Sequence, residues 1–357
     1  MIFDPPARWE TVVFRNPNDG MQAYVKRVVG LPGEKVRIFQ GDIYINGRIA
    51  RKSYEQFLEL CLPVYHQCRL PTGTRNSDRW VPLTGGSEWT SVDDHLEINA
   101  VGKMAVDEIV YRHHDPDGFE TSVRDDYGYN ASRSVWHHDV VGDLLLRFLV
   151  TYKAGNGFLR VSVRTPSSHS FVIDADPNDG SVRLFSNERL VREGKISRWQ
   201  RLDQPVSVGF FDQRLSVRFG DEAPFADFDI EDDLSSREEA TSPTSQPFAV
   251  GVSDLGVEIH DLRIDRDIFY GSQVLESYNP AGVRKPFALG KDEYFVLGDN
   301  SPISNDSRIW ENPAVRRSLF IGKPIVVHLP SQTWQGRVFG RQIPISLPDL
   351  GNVRRVR

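Results

Sequence analysis

The stretch Ala23-Tyr24-Val25-Lys26-Arg27-Val28-Val29-Gly30-Leu31-Pro32-Gly33-Glu34 sets a β-strand pattern directly against a turn. Its valine-rich run reads as a strand, and Leu31-Pro32-Gly33 reads as the turn that ends it. The unusual residue is the lysine. Alternation places residues 24, 26 and 28 on one face and 25, 27 and 29 on the other, so Lys26 shares an apolar face with Tyr24 and Val28. Burial disfavours a charged ammonium and drives a lysine below its usual pKa of about 10.4. A neutral amine of that kind takes a proton from a hydroxyl at physiological pH. On the strand alone, the plainer reading is an edge lysine whose head reaches water.

Working outward, Trp9–Arg15 (WETVVFR), Lys35–Gln40 (KVRIFQ) and Ile43–Arg48 (IYINGR) are strand patterns, separated by turns at Asn16–Gly20 and Gln40–Asp42. Towards the other end, Glu293–Asn300 (EYFVLGDN) is a strand running into a turn, and Phe320–Leu329 (FIGKPIVVHL) reads as a strong strand. The texture between them differs. Phe158–Arg164, His169–Ala175, Ser181–Ser186, Val206–Phe211, Arg214–Phe219 and Val250–Ile264 alternate and are separated by short turns, the pattern of a sandwich or jelly roll. The expectation is a mainly β protein. A small antiparallel β-domain (residues 1–52 plus 284–335) is interrupted by an inserted β-sandwich or jelly-roll domain (53–283), and 336–357 form a C-terminal tail. An insertion at a loop tip costs little closure free energy. Glu231–Pro247, acidic and rich in Ser, Thr and Pro, reads as a mobile surface loop, and no long amphipathic helix is expected.

Composition excludes several classes. The formal net charge of -6 across 357 residues leaves no nucleic-acid footprint. Two cysteines, Cys61 and Cys68, exclude a disulfide framework; a local bridge and two free buried thiols both remain open. The most apolar run, Leu144–Val150, is interrupted by Arg147 and falls far short of the roughly 20 residues of a spanning helix. The opening MIFDPPARWE has neither the basic nor the apolar region of a secretory signal, so the chain reads as soluble.

Four segments taken in order, Arg8–Pro17, Tyr24–Val36, Gly41–Arg48 and Glu293–Arg308 (EYFVLGDNSPISNDSR), resemble the signature boxes of the bacterial type I signal peptidases, the Ser/Lys proteases that remove signal peptides. Ile321–Pro330 resembles the strand that closes their domain. The resemblance implies that Lys26 is the general base and that the Ser304 hydroxyl orients it. It implies further that Asp306 and Arg308 brace the loop, and that Gly298, Asp299 and Asn300 form the tight turn leading into it. Ala23, Tyr24, Val25 and Val28 would line part of a shallow apolar pocket for small residues. Ser301-Pro302-Ile303 departs from the charged, polar run usual in the family. The implied reaction is cleavage of secretory pre-proteins through an acyl-enzyme, without metal or cofactor, at the outer face of the cytoplasmic membrane.

The family's nucleophile lies in a Ser-Met-x-Pro-Thr type segment that follows a membrane anchor. None of the chain's three methionines, Met1, Met21 and Met104, follows a serine. The expectation is a chain that supplies the lysine half only, inactive alone, as the C-terminal part of a longer product. The alternative is a degenerate copy: a non-catalytic pseudo-protease scaffold presenting a sugar- or protein-binding sandwich. Coding sequence upstream of Met1 separates the two, because an in-frame Ser-Met-x-Pro segment after an apolar span belongs to the first and an immediate stop codon to the second.

Other clusters read more plainly. Asp174, Asp176, Asn178 and Gly180 suggest a calcium loop, but Asp179 stands where a Gly is needed and Phe185 where a bidentate Glu belongs, so a hairpin turn is expected. His113-His114-Asp115 and His137-His138-Asp139 are adjacent pairs whose side chains diverge, and are read as loops rather than a zinc site. Cys61, His66 and Cys68 lack an identifiable partner ligand. Arg124–Asn130, Asp139–Phe148 and Asp261–Tyr270 resemble parts of concanavalin-like jelly rolls. The insert is read as a spacer, access or docking module whose partner is unknown.

Overall fold

The computed structural model describes residues 4–17, 20–69, 76–92, 94–115, 118–125, 139–166, 169–197, 199, 203–220, 223–230, 244–271, 280–324, 326–327, 331–338, 341–348 and 354–355. The loop expected at Glu231–Pro247 lies outside them as far as residue 243, and His137-His138 lies outside them entirely. The chain divides into two compact units, Met1–Ala50 with Asp125–Asp139 and Ile268–Arg357, and Arg51–Arg124 with Val140–Asp267. The protein is mainly β, and its described ladders are antiparallel.

Strands are numbered along the chain. The first unit opens with β1 (Thr11–Arg15), β2 (Ala23–Gly30), β3 (Lys35–Phe39), β4 (Asp42–Ile45) and β5 (Arg48–Ile49). β1 starts two residues later than the WETVVFR pattern suggests, because Trp9 takes a left-handed backbone (φ 72°) that a strand cannot carry.

The second unit begins with a helix the strand reading missed, α1 (Tyr54–Leu60), whose start is a capping box: Ser53 Oγ accepts from Gln56 N–H while the Gln56 side chain accepts from Ser53 N–H. It continues through β6 (Leu62–His66), α2 (Asn76–Arg79), β7 (Trp80–Pro82), β8 (Thr90–Val92), β9 (His95–Asn99) and β10 (Asp107–Tyr111). Then come β11 (Leu144–Arg164), β12 (Ser170–Ala175), β13 (Ser181–Ser186), β14 (Arg189–Lys195), β15 (Gln204–Phe211), β16 (Arg214–Phe219), β17 (Ala226–Asp229) and β18 (Phe248–Arg266). Leu144–Val150, which looked like a separate apolar run, is the start of the 21-residue β11. β11 and β18 form one long ribbon, bent by register shifts at Arg147/Leu149, Tyr152/Ala154 and Gly155/Phe158. At the bend the backbones touch: a Cβ on Gly157 would lie 1.8 Å from the Ser253 carbonyl oxygen. One half of the ribbon carries β15, β6 and β9, the other β12 and β10. The halves face each other, with Phe171 of β12 stacked 6.0 Å from Phe210 of β15 and edge-on to Phe228 of β17 at 6.4 Å. This is a two-layer sandwich. α1 covers the outer side of β15, Phe57 lying 4.3 Å from Phe211, which explains why that strand is buried on both faces.

The chain then returns to the first unit with β19 (Phe287–Ala288), β20 (Glu293–Leu297), β21 (Val315–Arg316), β22 (Phe320–Gly322), β23 (Val326–Val327), β24 (Ser331–Val338), β25 (Arg341–Pro348) and β26 (Arg354–Arg355). One sheet runs β21-β20-β2-β1-β22 and a second β19-β3-β4-β5. Val12, Phe14, Val28, Tyr294, Val296, Trp310 and Val315 form a buried cluster on the first sheet. The single strong strand expected at FIGKPIVVHL is instead two short ones, β22 against β1 and β23 against β26, with Pro324 between them unable to donate to a ladder. Strand pairing also reaches into the range expected as a tail, through the β24–β25 hairpin. Cys61 is buried, and Cys68 is exposed rather than buried because it follows the end of β6.

Candidate active site

β2 carries Lys26 to the place where its sheet loses a neighbour. β20 pairs with Arg27, Val28 and Gly30 and ends at Leu297, while β1 continues alongside, Val12 facing Lys26. Beyond Leu297 the chain turns at Gly298, passes through a short 3-10 turn at Ser301–Ile303 and returns. That return sets Ser304 Oγ 2.9 Å from Lys26 Nζ, with the amine donating. Lys26 is half-buried, its Nζ 5.8 Å from the centre of the Tyr24 ring. Burial holds the lysine below its ordinary pKa; Asp306 opposes this, Arg308 reinforces it, and Asp299 opposes it.

Gly298 is required by space. A Cβ there would lie 2.1 Å from Ser304 Oγ and 2.9 Å from Lys26 Nζ. Its N–H donates to Asp306 Oδ2 at 3.0 Å. Asp306 (0 % exposed) and Arg308 (2 %) form a buried pair, Nε to Oδ1 at 2.9 Å and Nη2 to Oδ2 at 2.8 Å. Arg308 also donates to Ser301 Oγ (2.9 Å), the Ser301 carbonyl (2.9 Å) and the Gly271 carbonyl (2.7 Å). The guanidinium thus ties both ends of the loop to one carboxylate, in the two-pronged geometry arginine favours.

Asp299 does more than turn the chain. Arg27, pointing to the opposite face from Lys26, donates to both its oxygens at 2.9 and 2.6 Å and to the Trp9 carbonyl at 2.6 Å. Asn300 precedes the 3-10 turn and makes no side-chain capping bond. Ala23 and Val25 are exposed and Tyr24 is half-buried, but Val28 has 0 % exposure in the core cluster, so its side chain reaches no surface.

Sequence reasoning passed over three residues. Arg27 reads as an ordinary strand charge, and its two bonds to the Asp299 carboxylate appear only in the folded chain. Ser301 looks like a departure from a pattern, yet its Oγ accepts from Arg308 and from Gly271 N–H. Ser307 is wholly buried and its Oγ accepts from Val296 N–H at 2.9 Å, locking the returning loop to β20.

Elsewhere, residues 176–180 form the turn between β12 and β13, and Asp174, still within β12, is held by Arg160 at 2.7 and 2.8 Å. His113 lies in a loop near the Tyr111 hydroxyl at 3.2 Å, and burial pushes its pKa down to about 4. No described helix is long and apolar enough to cross a membrane.

Comparison with known proteins bears on the N-terminal part. Residues 2–60 match the family described as signal peptidase, peptidase S26. The probable signal peptidase I-2 of Synechocystis sp. is 44 % identical over 55 residues, 14 % of this chain and 25 % of that protein. Signal peptidase I of Rickettsia typhi is 49 % identical over 43 residues, 12 % of this chain and 16 % of that protein. The chain therefore spans a quarter or less of the length of these relatives. Among solved structures, the carbohydrate binding module CBM66 from Bacillus subtilis is 14 % identical with a TM-score of 0.34, covering 52 % of this chain and 94 % of that one. The endo-β-1,3-glucanase from Pyrococcus furiosus is 7 % identical with a TM-score of 0.38, covering 66 % of this chain and 99 % of that one. Those two likenesses are too distant to bear on function. Residues 2–60, which contain Lys26, are similar to the signal peptidases of the peptidase S26 family.

Proposed function

We propose that the Lys26 site is the general-base half of a signal peptidase of the Ser/Lys type. One observation carries the reading: a half-buried lysine within β2, just past the end of its pairing with β20, donates a hydrogen bond to Ser304 Oγ at 2.9 Å. A lysine with a depressed pKa has a neutral fraction that can act as a base. Ser304 engages one N–H, which leaves the amine lone pair free to face an incoming hydroxyl. The base takes that proton as the hydroxyl attacks the scissile carbonyl, then returns it to the departing amine. Water hydrolyses the resulting acyl-enzyme. Asp306 and Arg308 position Ser304, Gly298 gives Ser304 room beside the lysine, and Arg27 holds Asp299 in the turn.

The substrates of this reading are secretory pre-proteins cleaved after small residues, with Ala23, Tyr24 and Val25 on the substrate side and the outer face of the cytoplasmic membrane as the working surface. The sandwich is an insert in the peptidase-like domain. The nucleophile is a serine in a Ser-Met-x-Pro-Thr type segment. Because none of the chain's methionines follows a serine, that segment must come from elsewhere, and this chain alone is inert.

A fusion tests it. A relative's Ser-Met-x-Pro-Thr segment is joined ahead of Pro5 and cleavage of a signal-peptide substrate is followed. The expected result is an inert chain, an active fusion, loss of activity with Lys26→Met and a large reduction with Ser304→Ala. Activity that survives Lys26→Met overturns the assignment, and a folded but inert fusion favours the non-catalytic scaffold.

A further inference from the structure

In the second unit, β9 and β18 pair so that His95 lies directly opposite His260 and Glu97 directly opposite Glu258. The residues between them, Leu96 and Ile259, are buried (3 % and 0 %), so all four polar side chains stand on the other face of the sheet. The imidazole rings are 4.9 Å apart and tilted by 31°. His95 Nε2 lies 3.8 Å from Glu97 Oε2, and His260 Nε2 lies 3.6 Å from Glu258 Oε2. Those separations exceed hydrogen-bond length. They are close to the spacing of neighbouring ligand atoms on a tetrahedral zinc ion, roughly 3.3–3.6 Å for bonds of 2.0–2.2 Å. Potential ligand atoms of His95, Glu97 and Glu258 lie within 4.8 Å of one another, and so do those of Asp94, His95 and His260.

We infer that His95, His260, Glu97 and Glu258 form a binding site for a divalent transition-metal ion of the zinc class, with Asp94 at its margin. Two imidazoles with two carboxylates suit zinc and its neighbours, whereas calcium and magnesium demand oxygen ligands. The register supplies the preorganisation, since two ligands come from each of two hydrogen-bonded strands. An ion bound there pins β9 to β18. Lys153 is the internal competitor: its ammonium lies 2.8 Å from Glu258 Oε2 and must give way for that carboxylate to bind metal.

A second cluster, His66, Cys68 and Asp261, lies in the same unit but is already committed. Arg263 donates to both Asp261 oxygens at 2.9 and 2.6 Å, and His66 Nδ1 accepts from Cys68 N–H at 3.2 Å. It serves as the control.

The test titrates the full chain with Zn2+ against a chromophoric chelator, and with Co2+ read by visible absorption. The expected result is one equivalent of Zn2+, an intense tetrahedral Co2+ spectrum and no displacement by excess Ca2+ or Mg2+. His95→Gln with His260→Gln weakens binding more than ~10-fold, Cys68→Ser leaves it unchanged and Lys153→Ala tightens it. In the unaltered chain, Zn2+ protects His95 and His260 from diethylpyrocarbonate, a readout independent of whether the variants fold. The inference is overturned if the double histidine variant keeps stoichiometric Zn2+, if Cys68→Ser abolishes binding, if Ca2+ competes equally, or if both histidines remain reactive under saturating Zn2+.

Discussion

Gly298→Ala probes the packing on which the candidate site depends. A methyl group there would sit 2.1 Å from Ser304 Oγ, 2.8 Å from Ser304 Cβ and 2.9 Å from Lys26 Nζ. Gly298 is not among the positive-φ glycines, so the backbone accepts alanine and the penalty is steric. Overpacking of this kind costs about 1–3 kcal/mol. Restriction of the unfolded chain returns about 0.4–1 kcal/mol. The expected net loss is therefore about 0–2.6 kcal/mol, taken from those two ranges. Ser304 supplies the two nearest atoms, so Ser304→Gly removes both. Alone, that change costs about 1 kcal/mol for the hydrogen bond and about 0.5–1 kcal/mol for the added backbone freedom. If the contact carries the penalty, the double variant loses less than the sum by about 1 kcal/mol or more. Urea titrations read by hydrogen exchange on peptides of the first unit measure this, because two units need not unfold together. Additivity within ~0.3 kcal/mol refutes the steric account.

Three further outcomes follow from buried charge. Lys26 titrates in the folded chain below its unfolded value near 10.4, so between the two values the unfolded chain binds the extra proton and stability rises with pH. Lys26→Met is accordingly stabilising at low pH, with a gain that fades towards about pH 10.4; a gain independent of pH in denaturant titrations refutes this. His113, held down to about 4, loses the second unit up to about 3 kcal/mol as pH falls from about 6.5 through 4, and His113→Gln flattens that limb of the stability profile. Lys52 is nearly fully buried with Asp212 at 2.7 Å and Asp267 at 2.8 Å, and these carboxylates raise its pKa despite the opposing effect of burial. Lys52→Met leaves them buried without that cation and costs about 3–5 kcal/mol in urea unfolding of the second unit; a loss under ~1 kcal/mol contradicts the clasp.

Some of this architecture was legible because it is local. AYVKRVVG became β2 residue for residue, SVRLFS became β13 and RLSVRF became β16, since alternation and turn chemistry are properties of neighbouring residues. The long strands were not legible. Lys153-Ala-Gly-Asn-Gly157 has turn composition, yet β11 runs through it because β18 supplies partners on both sides of the bend. α1 was missed for a similar reason: seven residues give little helical periodicity, and its place is decided by the packing of Phe57 on Phe211.

By itself the sequence determined the strand periods, the candidate base at Lys26 and the family resemblance of the residues around it, because those are written in short runs of covalent neighbours. The resemblance implied Ser304 as the partner of that lysine, but only the tertiary structure decided how the two meet. Ser304 is 278 residues away, and it is the end of β20 at Leu297, the bare Cα of Gly298 and the Asp306–Arg308 pair that bring its hydroxyl to the amine. Likewise, His95 and His260 are ordinary in sequence and become neighbours through the register of β9 on β18. Contacts across such separations depend on which strands pair and where a ladder stops, a property of the folded chain that no local pattern encodes.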